Sequence, residues 1–212
     1  MSKRAIILSA VPVSTAVGRY VRPGDFIVAC DAGYRNCVRL GCKPDIIVGD
    51  FDSAPCPQQD TDDIVVLPHV KDDTDTEYAA KLAAQKGFDE VLLLGALGGR
   101  RVEHTLANLC TGLGLEQRGI RAALQDERSR ITFVLPGESR CYPKEEFFYF
   151  SAFPMEGRAE GVYEKGSFYE LEDAVLTAGY PLGVSNEYAE GSSRITVSTR
   201  QGALVVVETI AD

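Results

Sequence analysis

The stretch EVLLLGALGGRRVEHTLANLCTGLGLEQRGIRAALQD, residues 90–126, decides the fold class of this chain. It opens with the apolar run EVLLLGA (90–96), continues with a segment of helical period that ends at Gly119, and closes with RAALQD (121–126). Both end runs are continuously apolar rather than alternating, which is typical of parallel strands that are covered on both faces. The stretch therefore predicts a strand–helix–strand unit.

The same alternation extends over the first 130 residues. TDTEYAAKLAAQKG (74–87) predicts a second helix, in which Thr74 and Glu77 have the spacing of a capping box. Further strands are predicted from apolar runs at residues 5–10, 26–30, 45–50 and 63–68. The pattern predicts an N-terminal three-layer α/β domain with a mostly parallel sheet, residues 1–130. Residues 131–212 consist of short strand-like pieces split by Gly, Pro, Asn and Ser, which predict an antiparallel β domain.

Composition limits the classes of partner. The formal net charge of −9 and the lack of any Lys/Arg block argue against nucleic acid as a partner. No apolar stretch reaches the roughly 20 residues that span a bilayer, so no membrane partner is expected. The chain has six cysteines without a C-x-x-C pair and only two histidines. This composition disfavours a zinc site and favours thiols in a reducing cytoplasm.

Acidic side chains follow three of the predicted strands, at the edge where open α/β sheets bind ligands. They are Asp31, Asp50, Asp52, Asp72, Asp73 and Asp75. Taken singly, each group has a simpler explanation, since acids are favoured at helix N-termini and aspartates are common in turns. Together they offer oxygen ligands without His or Cys, which suits magnesium bound to phosphate oxygens. The acids therefore predict a site for a metal-bound phosphate ligand.

A glycine pair precedes the helix of the opening stretch. Gly98 and Gly99 allow the main chain to approach a ligand closely, and Arg100 follows directly. At about 100° per residue, Arg100, His104 and Asn108 form a polar stripe on the helix. The opposite stripe is expected to face the core, and it consists of Val102, Leu106, Leu109 and Leu113. A solvated outer face explains the polar stripe alone, whereas the glycines and the acids favour a ligand there.

Four motifs, in this order, resemble the thiamine pyrophosphokinase family. They are GDFDS (49–53), KDDTDTE (71–77), GGRRVEHTLAN (98–108) and SNE (185–187), and the resemblance covers about residues 5 to 207. It implies transfer of the diphosphoryl group of ATP to the hydroxyl of thiamine, giving thiamine diphosphate and AMP. It also implies a catalytic α/β domain that binds nucleotide and Mg²⁺, followed by a β-sandwich domain, residues 131–212, for thiamine binding and dimerisation. The resemblance further implies a homodimer with thiamine near the subunit interface.

The resemblance also implies roles for individual residues. Matching positions make Asp50, Asp52 and Asp75 the magnesium ligands, with Asp31 and Asp72 as supporting acids and Arg100 as a phosphate contact. Gly98, Gly99, His104 and Asn108 complete the nucleotide side, and Ser185 and Asn186 are the thiamine-side residues. Glu103 stands where the family usually has Asp, and the absence of Trp leaves a Tyr or Phe, for example Tyr180 or Tyr188, to stack on thiamine.

Two alternatives remain open from the sequence. One is a magnesium-dependent diphosphotransferase that acts on a different alcohol. The other is a non-catalytic sensor of nucleotide or thiamine. The carboxylates favour an enzyme over a sensor, because binding a vitamin cation does not need a magnesium site.

Overall fold

The computed structural model describes residues 3–51, 64–67 and 72–211, so the predicted ligand Asp52 lies outside the described residues. The chain divides into two compact units, Met1–Glu127 and Arg128–Asp212. None of the helices within the described ranges has the length and apolar character needed to cross a membrane. The mixed α/β class predicted from the sequence is confirmed.

The first unit contains strands that lie close to the predicted runs, namely β1 Arg4–Leu8, β2 Phe26–Cys30, β3 Ile46–Gly49, β4 Ile64–Val66, β5 Glu90–Leu94 and β6 Arg121–Gln125. They form a parallel sheet in the order β6–β5–β1–β2–β3–β4. The parallel pairing is continuous across this order, with Leu8 opposite both Ala29 and Leu94.

Both faces of this sheet are buried. Successive strand residues point to opposite faces, and Ile6 and Ile7 are both fully buried, as are Leu93 and Leu94. Ile6 packs with Val17 and Cys37 from the helical segments in one apolar cluster. Continuous apolar runs are therefore required by burial on two faces, as the sequence predicted.

The described residues of the first unit form three α-helices, α1 Tyr34–Leu40, α2 Asp75–Gln85 and α3 Val102–Gln117. Two 3-10 helices within the same residues, Thr15–Tyr20 and Asp31–Gly33, precede α1. Thr74 caps α2 as predicted, because its side chain accepts a hydrogen bond from the Glu77 main-chain N–H at 3.1 Å. The short helix α1 was not predicted, since its seven residues carry no side-chain cap.

The predicted orientation of α3 is wrong. Val102 and Leu106, expected to face the core, are 69% and 59% exposed, whereas Asn108 is buried. The buried face also carries Thr111, whose hydroxyl donates to Glu77 of α2 at 2.8 Å. A polar face is buried here because its hydrogen-bonding groups find partners on neighbouring elements.

The strands of the second unit are β7 Ser129–Val134, β8 Ser139–Pro143, β9 Tyr149–Pro154, β10 Arg158–Lys165, β11 Leu171–Thr177, β12 Asn186–Glu187, β13 Arg194–Ser198 and β14 Leu204–Thr209. They pair in antiparallel order as β12–β9–β14–β7 and as β11–β10–β13–β8. One apolar cluster contains buried residues from both sets, including Phe150 and Val206 from the first and Val162 and Ile195 from the second. The unit is thus a β-sandwich.

Gly33 should be essential for the stability of the first unit. A Cβ at this position would lie 1.9 Å from the Leu8 carbonyl oxygen, so Gly33→Ala should lower the free energy of unfolding by at least about 2 kcal/mol. Gly114 of α3 is the control, because a Cβ there meets nothing within 4 Å, and Gly114→Ala should stabilise by about 0.5–1 kcal/mol. Urea unfolding measures both values, and equal stability of Gly33→Ala and wild type would contradict the close approach.

Candidate functional site

A cavity of about 330 Å³ opens at the carboxyl edge of the parallel sheet in the first unit. It combines acidic, basic and glycine positions from separate segments of the chain, as ligand sites of open α/β sheets do. Seven of the predicted site residues line it, namely Asp31, Asp75, Gly98, Gly99, Arg100, His104 and Asn108.

The end of β2 contributes an acidic side chain to the cavity and lies against the end of β3. Asp31 follows β2, and a Cβ on Gly49 at the end of β3 would lie 3.1 Å from the Asp31 Cα atom. Asp50 follows Gly49 directly, so the chain brings it to the same sheet edge, although it does not line the cavity. Asp31 and Phe51 both have positive φ angles, 45° and 54°. Such main-chain conformations are costly outside glycine and concentrate at functional sites.

The loop after β1 also lines the cavity, and a residue that the sequence did not indicate holds it. The buried Asn36 amide of α1 donates to the carbonyl oxygens of Ser9 and Val11, both at 2.9 Å. Its oxygen accepts from the Val13 main-chain N–H at 3.2 Å. Gly95 leaves room for this arrangement, because a Cβ there would lie 2.6 Å from the Val11 oxygen. Contacts between segments this distant in sequence leave no local pattern.

The N-terminus of α2 separates the acids that the sequence grouped together. Asp75, the first residue of α2, lines the cavity, and the neighbouring Thr76 hydroxyl hydrogen-bonds that of Ser9 at 2.9 Å. Asp73 instead pairs with Lys81, with a nitrogen–oxygen distance of 2.6 Å. Asp72 is exposed and does not line the cavity. One acid of this group therefore faces the cavity and one forms an ordinary ion pair.

The glycine pair lies between β5 and α3 and is held by α3 itself. The Thr105 hydroxyl accepts from the Gly98 main-chain N–H at 3.0 Å, and the Asn108 amide donates to the Ala96 carbonyl oxygen at 2.8 Å. Gly98 and Gly99 have φ angles of 72° and 80°, which side chains disfavour. The loop thus presents main chain to the cavity at a helix N-terminus, where anions bind favourably.

Arg100 and Glu103 differ in their partners. Arg100 is exposed and forms no ion pair with any described residue, so its donors are available to a ligand. Glu103 accepts a hydrogen bond from Arg101 at 2.7 Å, and this bond holds the pKa of its carboxyl below the usual range. The side chain that departs from the family pattern is therefore paired beside the cavity rather than lining it.

No group of three His, Cys, Asp or Glu side chains suited to a metal occurs within residues 3–51, 64–67 and 72–211. Magnesium does not need such a group, because it commonly takes one or two carboxylates and completes its shell with phosphate oxygens and water. Asp31 and Asp75 line the cavity beside cationic Arg100. This donor set fits a magnesium ion that arrives with a polyphosphate.

The two predicted thiamine-side residues lie in the second unit. Ser185 is exposed, with a φ angle of 54°, and its main-chain N–H donates to the Ser151 hydroxyl at 3.0 Å. Asn186 is buried, and its amide hydrogen-bonds Glu164 and the main chain of Tyr169. An amide with these partners serves the structure rather than a ligand directly.

Aromatic side chains that sequence reasoning missed are exposed next to Asn186. Phe168 and Tyr169 are 64% and 69% exposed, with ring centroids 4.8 Å apart in an edge-to-face arrangement. Of the two tyrosines named from the sequence, Tyr180 is exposed, whereas Tyr188 is buried with its hydroxyl donating to the Pro143 carbonyl oxygen. Exposed aromatic faces of this kind suit a flat, cationic ring.

Comparisons with known proteins agree on one family. A protein-family model described as thiamin pyrophosphokinase, catalytic domain, matches residues 17–124, and one described as its vitamin B1 binding domain matches residues 140–204. A thiamine pyrophosphokinase from Bacillus subtilis (strain 168) is 28% identical over 185 residues, which is 85% of each chain. The crystal structure of the Bacillus subtilis thiamine pyrophosphokinase is 25% identical, covers 99% of this chain and 100% of its own, and has a TM-score of 0.85. A thiamin pyrophosphokinase structure from Geobacillus thermodenitrificans is 25% identical, with 99% and 98% coverage and a TM-score of 0.83.

Burial of Glu164 should make stability depend on pH. Burial raises the pKa of Glu164 from its ordinary 4.5 to about 7, and the hydrogen bond that its carboxylate accepts from Asn186 opposes the rise. As pH rises, the unfolded chain therefore loses the Glu164 proton at a lower pH than the folded protein does. The contribution of this proton to the free energy of unfolding is fully present below about pH 4.5, falls as pH rises towards 7, and then stays constant.

Glu164→Gln should remove this pH dependence. Between pH 4.5 and 7.5, the unfolding free energy of wild type should fall by on the order of 3 kcal/mol relative to Glu164→Gln. Urea unfolding of both proteins across this range gives the difference directly. A difference that stays constant with pH would show that the Glu164 carboxyl titrates normally.

Proposed function

The chain belongs to the thiamin pyrophosphokinase family and acts as an ATP-dependent thiamine diphosphokinase, and we propose that the cavity of its first unit is where ATP binds. The proposal rests on one observation, which is that a single cavity is lined by Asp31, Asp75, Arg100 and the Gly98–Gly99 segment. The reaction transfers a diphosphoryl group from ATP to the thiamine hydroxyl and releases AMP. A different alcohol and a non-catalytic sensor are not favoured by the family match.

The cationic and main-chain groups of the cavity suit a triphosphate. The Gly98–Gly99 loop offers its main chain at the N-terminus of α3, where the helix dipole favours negative charge. Arg100 adds a planar set of donors that matches phosphate oxygens. Since phosphoryl transfer depends mainly on positioning and charge stabilisation, these groups place the β-phosphorus for attack by the thiamine hydroxyl.

The acidic groups of the cavity suit the metal and the proton. Asp31 and Asp75 would hold a magnesium ion, joined by Asp50 and Asp52 from the end of β3 and the chain after it. Bound magnesium supplies neutralisation of the polyphosphate charge. The thiamine oxygen forms a bond to the β-phosphorus while a carboxylate of the cavity accepts its proton. The bond from the β-phosphorus to the oxygen that bridges it to the α-phosphorus breaks, and AMP leaves with that oxygen.

Thiamine is proposed to pack against the aromatic pair Phe168 and Tyr169 of the second unit. Their exposed rings offer the faces on which a thiazolium or pyrimidine ring stacks. Ser185 lies in the same segment as Asn186, whose amide bonds the Tyr169 main chain. In this proposal Ser185 and Tyr169 contact thiamine, and Asn186 supports them.

We also propose that the protein is a homodimer with thiamine near the subunit interface. The support is a set of exposed apolar side chains: Val102 and Leu106 in the first unit, and Tyr180, Leu182 and Val184 in the second. Exposed apolar groups close together in sequence are typical of surfaces that a partner covers. Sedimentation equilibrium should give about twice the chain mass of 23.0 kDa, and a mass of one chain at micromolar concentration would contradict the dimer.

A cytoplasmic location is proposed from the cysteines, which are thiols throughout the described ranges.

The activity is tested by incubating the protein with ATP, Mg²⁺ and thiamine and separating the products. Thiamine diphosphate and AMP should form in equal amounts, because one diphosphoryl group moves in each turnover. ADP with thiamine monophosphate, or no nucleotide turnover, would contradict the assignment.

Within this assay, Asp75→Asn should lower kcat by about a hundredfold or more, because it removes a carboxylate that faces the metal and the phosphates. Asp73→Asn is the matched control. It removes the same charge two residues earlier, but its carboxylate pairs with Lys81 on the surface, so kcat should change by less than about threefold. The Mg²⁺ concentration for half-maximal rate should rise only in Asp75→Asn. Equal kcat values for the two variants would contradict the role of Asp75.

A further inference from the structure

Glu164 of β10 is a carboxylic acid enclosed in the β-sandwich, with 0% of its surface exposed. One oxygen, Oε1, accepts a hydrogen bond from Asn186 Nδ2 at 2.5 Å. The other, Oε2, is buried and has no hydrogen-bond partner within the described part of the chain. Burying a carboxyl group with an unsatisfied oxygen costs stability, so its presence requires an explanation.

A second fully buried acid shows what a structural carboxylate looks like in the same unit. Glu208 accepts two hydrogen bonds from Arg130, at 2.6 and 2.9 Å, so its charge is paired. Glu164 has no such cation, since none of the ion pairs formed by the described residues includes it. Its connection to the rest of the unit runs instead through the Asn186 amide.

The Asn186 side chain uses its full hydrogen-bonding capacity. Nδ2 donates to Glu164 Oε1 and to the Tyr169 carbonyl oxygen, the latter at 2.8 Å. Oδ1 accepts from the main-chain N–H groups of Tyr169 and Glu187, both at 3.0 Å. An Asn amide offers two donors and two lone pairs, and all four positions are occupied here. Asn186 therefore hydrogen-bonds both the main-chain N–H and the main-chain carbonyl group of Tyr169.

Glu164 adds a fourth contact to the three main-chain contacts that set the orientation of this amide. If the amide turned over, Nδ2 would face the N–H groups of Tyr169 and Glu187, and Oδ1 would face the Glu164 carboxyl. Donors would then meet donors and acceptors would meet acceptors, which is unfavourable in a buried site. An apolar side chain at position 164 would leave one Nδ2 proton buried and unsatisfied. The acceptor at Glu164 thus stabilises the orientation that holds Tyr169.

The main chain that Asn186 holds at Tyr169 belongs to the exposed aromatic pair Phe168 and Tyr169. The Phe168 main-chain N–H donates to the Glu187 carbonyl oxygen at 2.8 Å, next to the Asn186 contacts. The main chain of 168–169 is therefore held by hydrogen bonds to Asn186 and Glu187, while both rings are exposed. Fixing a binding residue in advance lowers the entropic cost of binding its ligand.

We propose that Glu164 is a positioning residue for the thiamine substrate, acting through the Asn186 amide to hold the main chain of Tyr169 and thereby the Phe168–Tyr169 aromatic surface. The proposal rests on the function proposed above, because it identifies that surface as the place where thiamine packs. It does not require Glu164 to touch the substrate.

The test compares Glu164→Leu, which removes the acceptor, with Glu164→Gln, which keeps one. Glu160→Leu is the control, since it removes a partly exposed carboxylate from the same strand that pairs with Arg158. Glu164→Leu should raise KM for thiamine about tenfold or more, with KM for ATP and kcat at saturation within about threefold of wild type. Glu164→Gln and Glu160→Leu should keep KM for thiamine within about threefold, since neither removes the acceptor for Asn186.

A double-mutant cycle separates action through Asn186 from a direct effect. Asn186→Ala should raise KM for thiamine as Glu164→Leu does, and adding Glu164→Leu to it should change KM by less than about twofold. Additive effects of the two substitutions would overturn the proposal. So would an unchanged KM for thiamine in Glu164→Leu, or equal effects on both substrates. If Glu164→Leu does not fold, Glu164→Met supplies an apolar side chain of similar length.

Amide hydrogen exchange of residues 167–170 tests, without measuring turnover, whether Glu164 helps Asn186 to hold the main chain of Tyr169. The Tyr169 N–H should exchange about tenfold faster or more in Glu164→Leu than in wild type and Glu164→Gln. Faster exchange in a protein that makes no thiamine diphosphate would place the failure in the proposed function. Unchanged exchange in Glu164→Leu would overturn the positioning role itself.

Discussion

Close main-chain packing at the carboxyl edge of the parallel sheet is the constraint on which the candidate site depends. Gly33 lies against the Leu8 carbonyl oxygen, Gly95 against Val11, and Gly49 against Asp31, at distances that leave no room for a Cβ to be added without displacement. Because these three positions lack side chains, the ends of β1, β2, β3 and β5 come close enough for one cavity to collect Asp31, Asp75 and Arg100. The chemistry of the site follows from this packing.

Buried amide side chains hold different parts of the main chain in the two units. In the first, the Asn36 and Asn108 amides hold the loops that carry cavity residues, through bonds to the Ser9, Val11 and Ala96 carbonyl oxygens. In the second, Asn186 holds the main chain of an exposed aromatic pair. Amides suit both tasks because they donate and accept in fixed directions without a net charge. Exposed groups are thereby attached to buried, hydrogen-bonded main chain.

Much of the fold was predictable because burial on two faces leaves a strong local pattern. The apolar run at 26–30 coincides with β2, and that at 121–126 differs from β6 by one residue. The orientation of α3 was not predictable from its apolar residues, since Val102 and Leu106 are exposed while Asn108 is buried to reach Ala96. The roles of Asn36 and Glu164 also escaped the sequence, because the contacts that give them these roles, to Ser9, Val11, Val13 and Asn186, span at least 22 residues and depend on how the strands pair.

A crystal structure of the protein with Mg²⁺ and a non-hydrolysable ATP analogue tests most directly whether ATP binds in the cavity of the first unit. The triphosphate should lie against the Gly98–Gly99 main chain and Arg100, with magnesium about 2.0–2.1 Å from a carboxylate oxygen of Asp31, Asp50, Asp52 or Asp75. Nucleotide bound elsewhere, with these carboxylates in contact only with water, would contradict this assignment of the cavity.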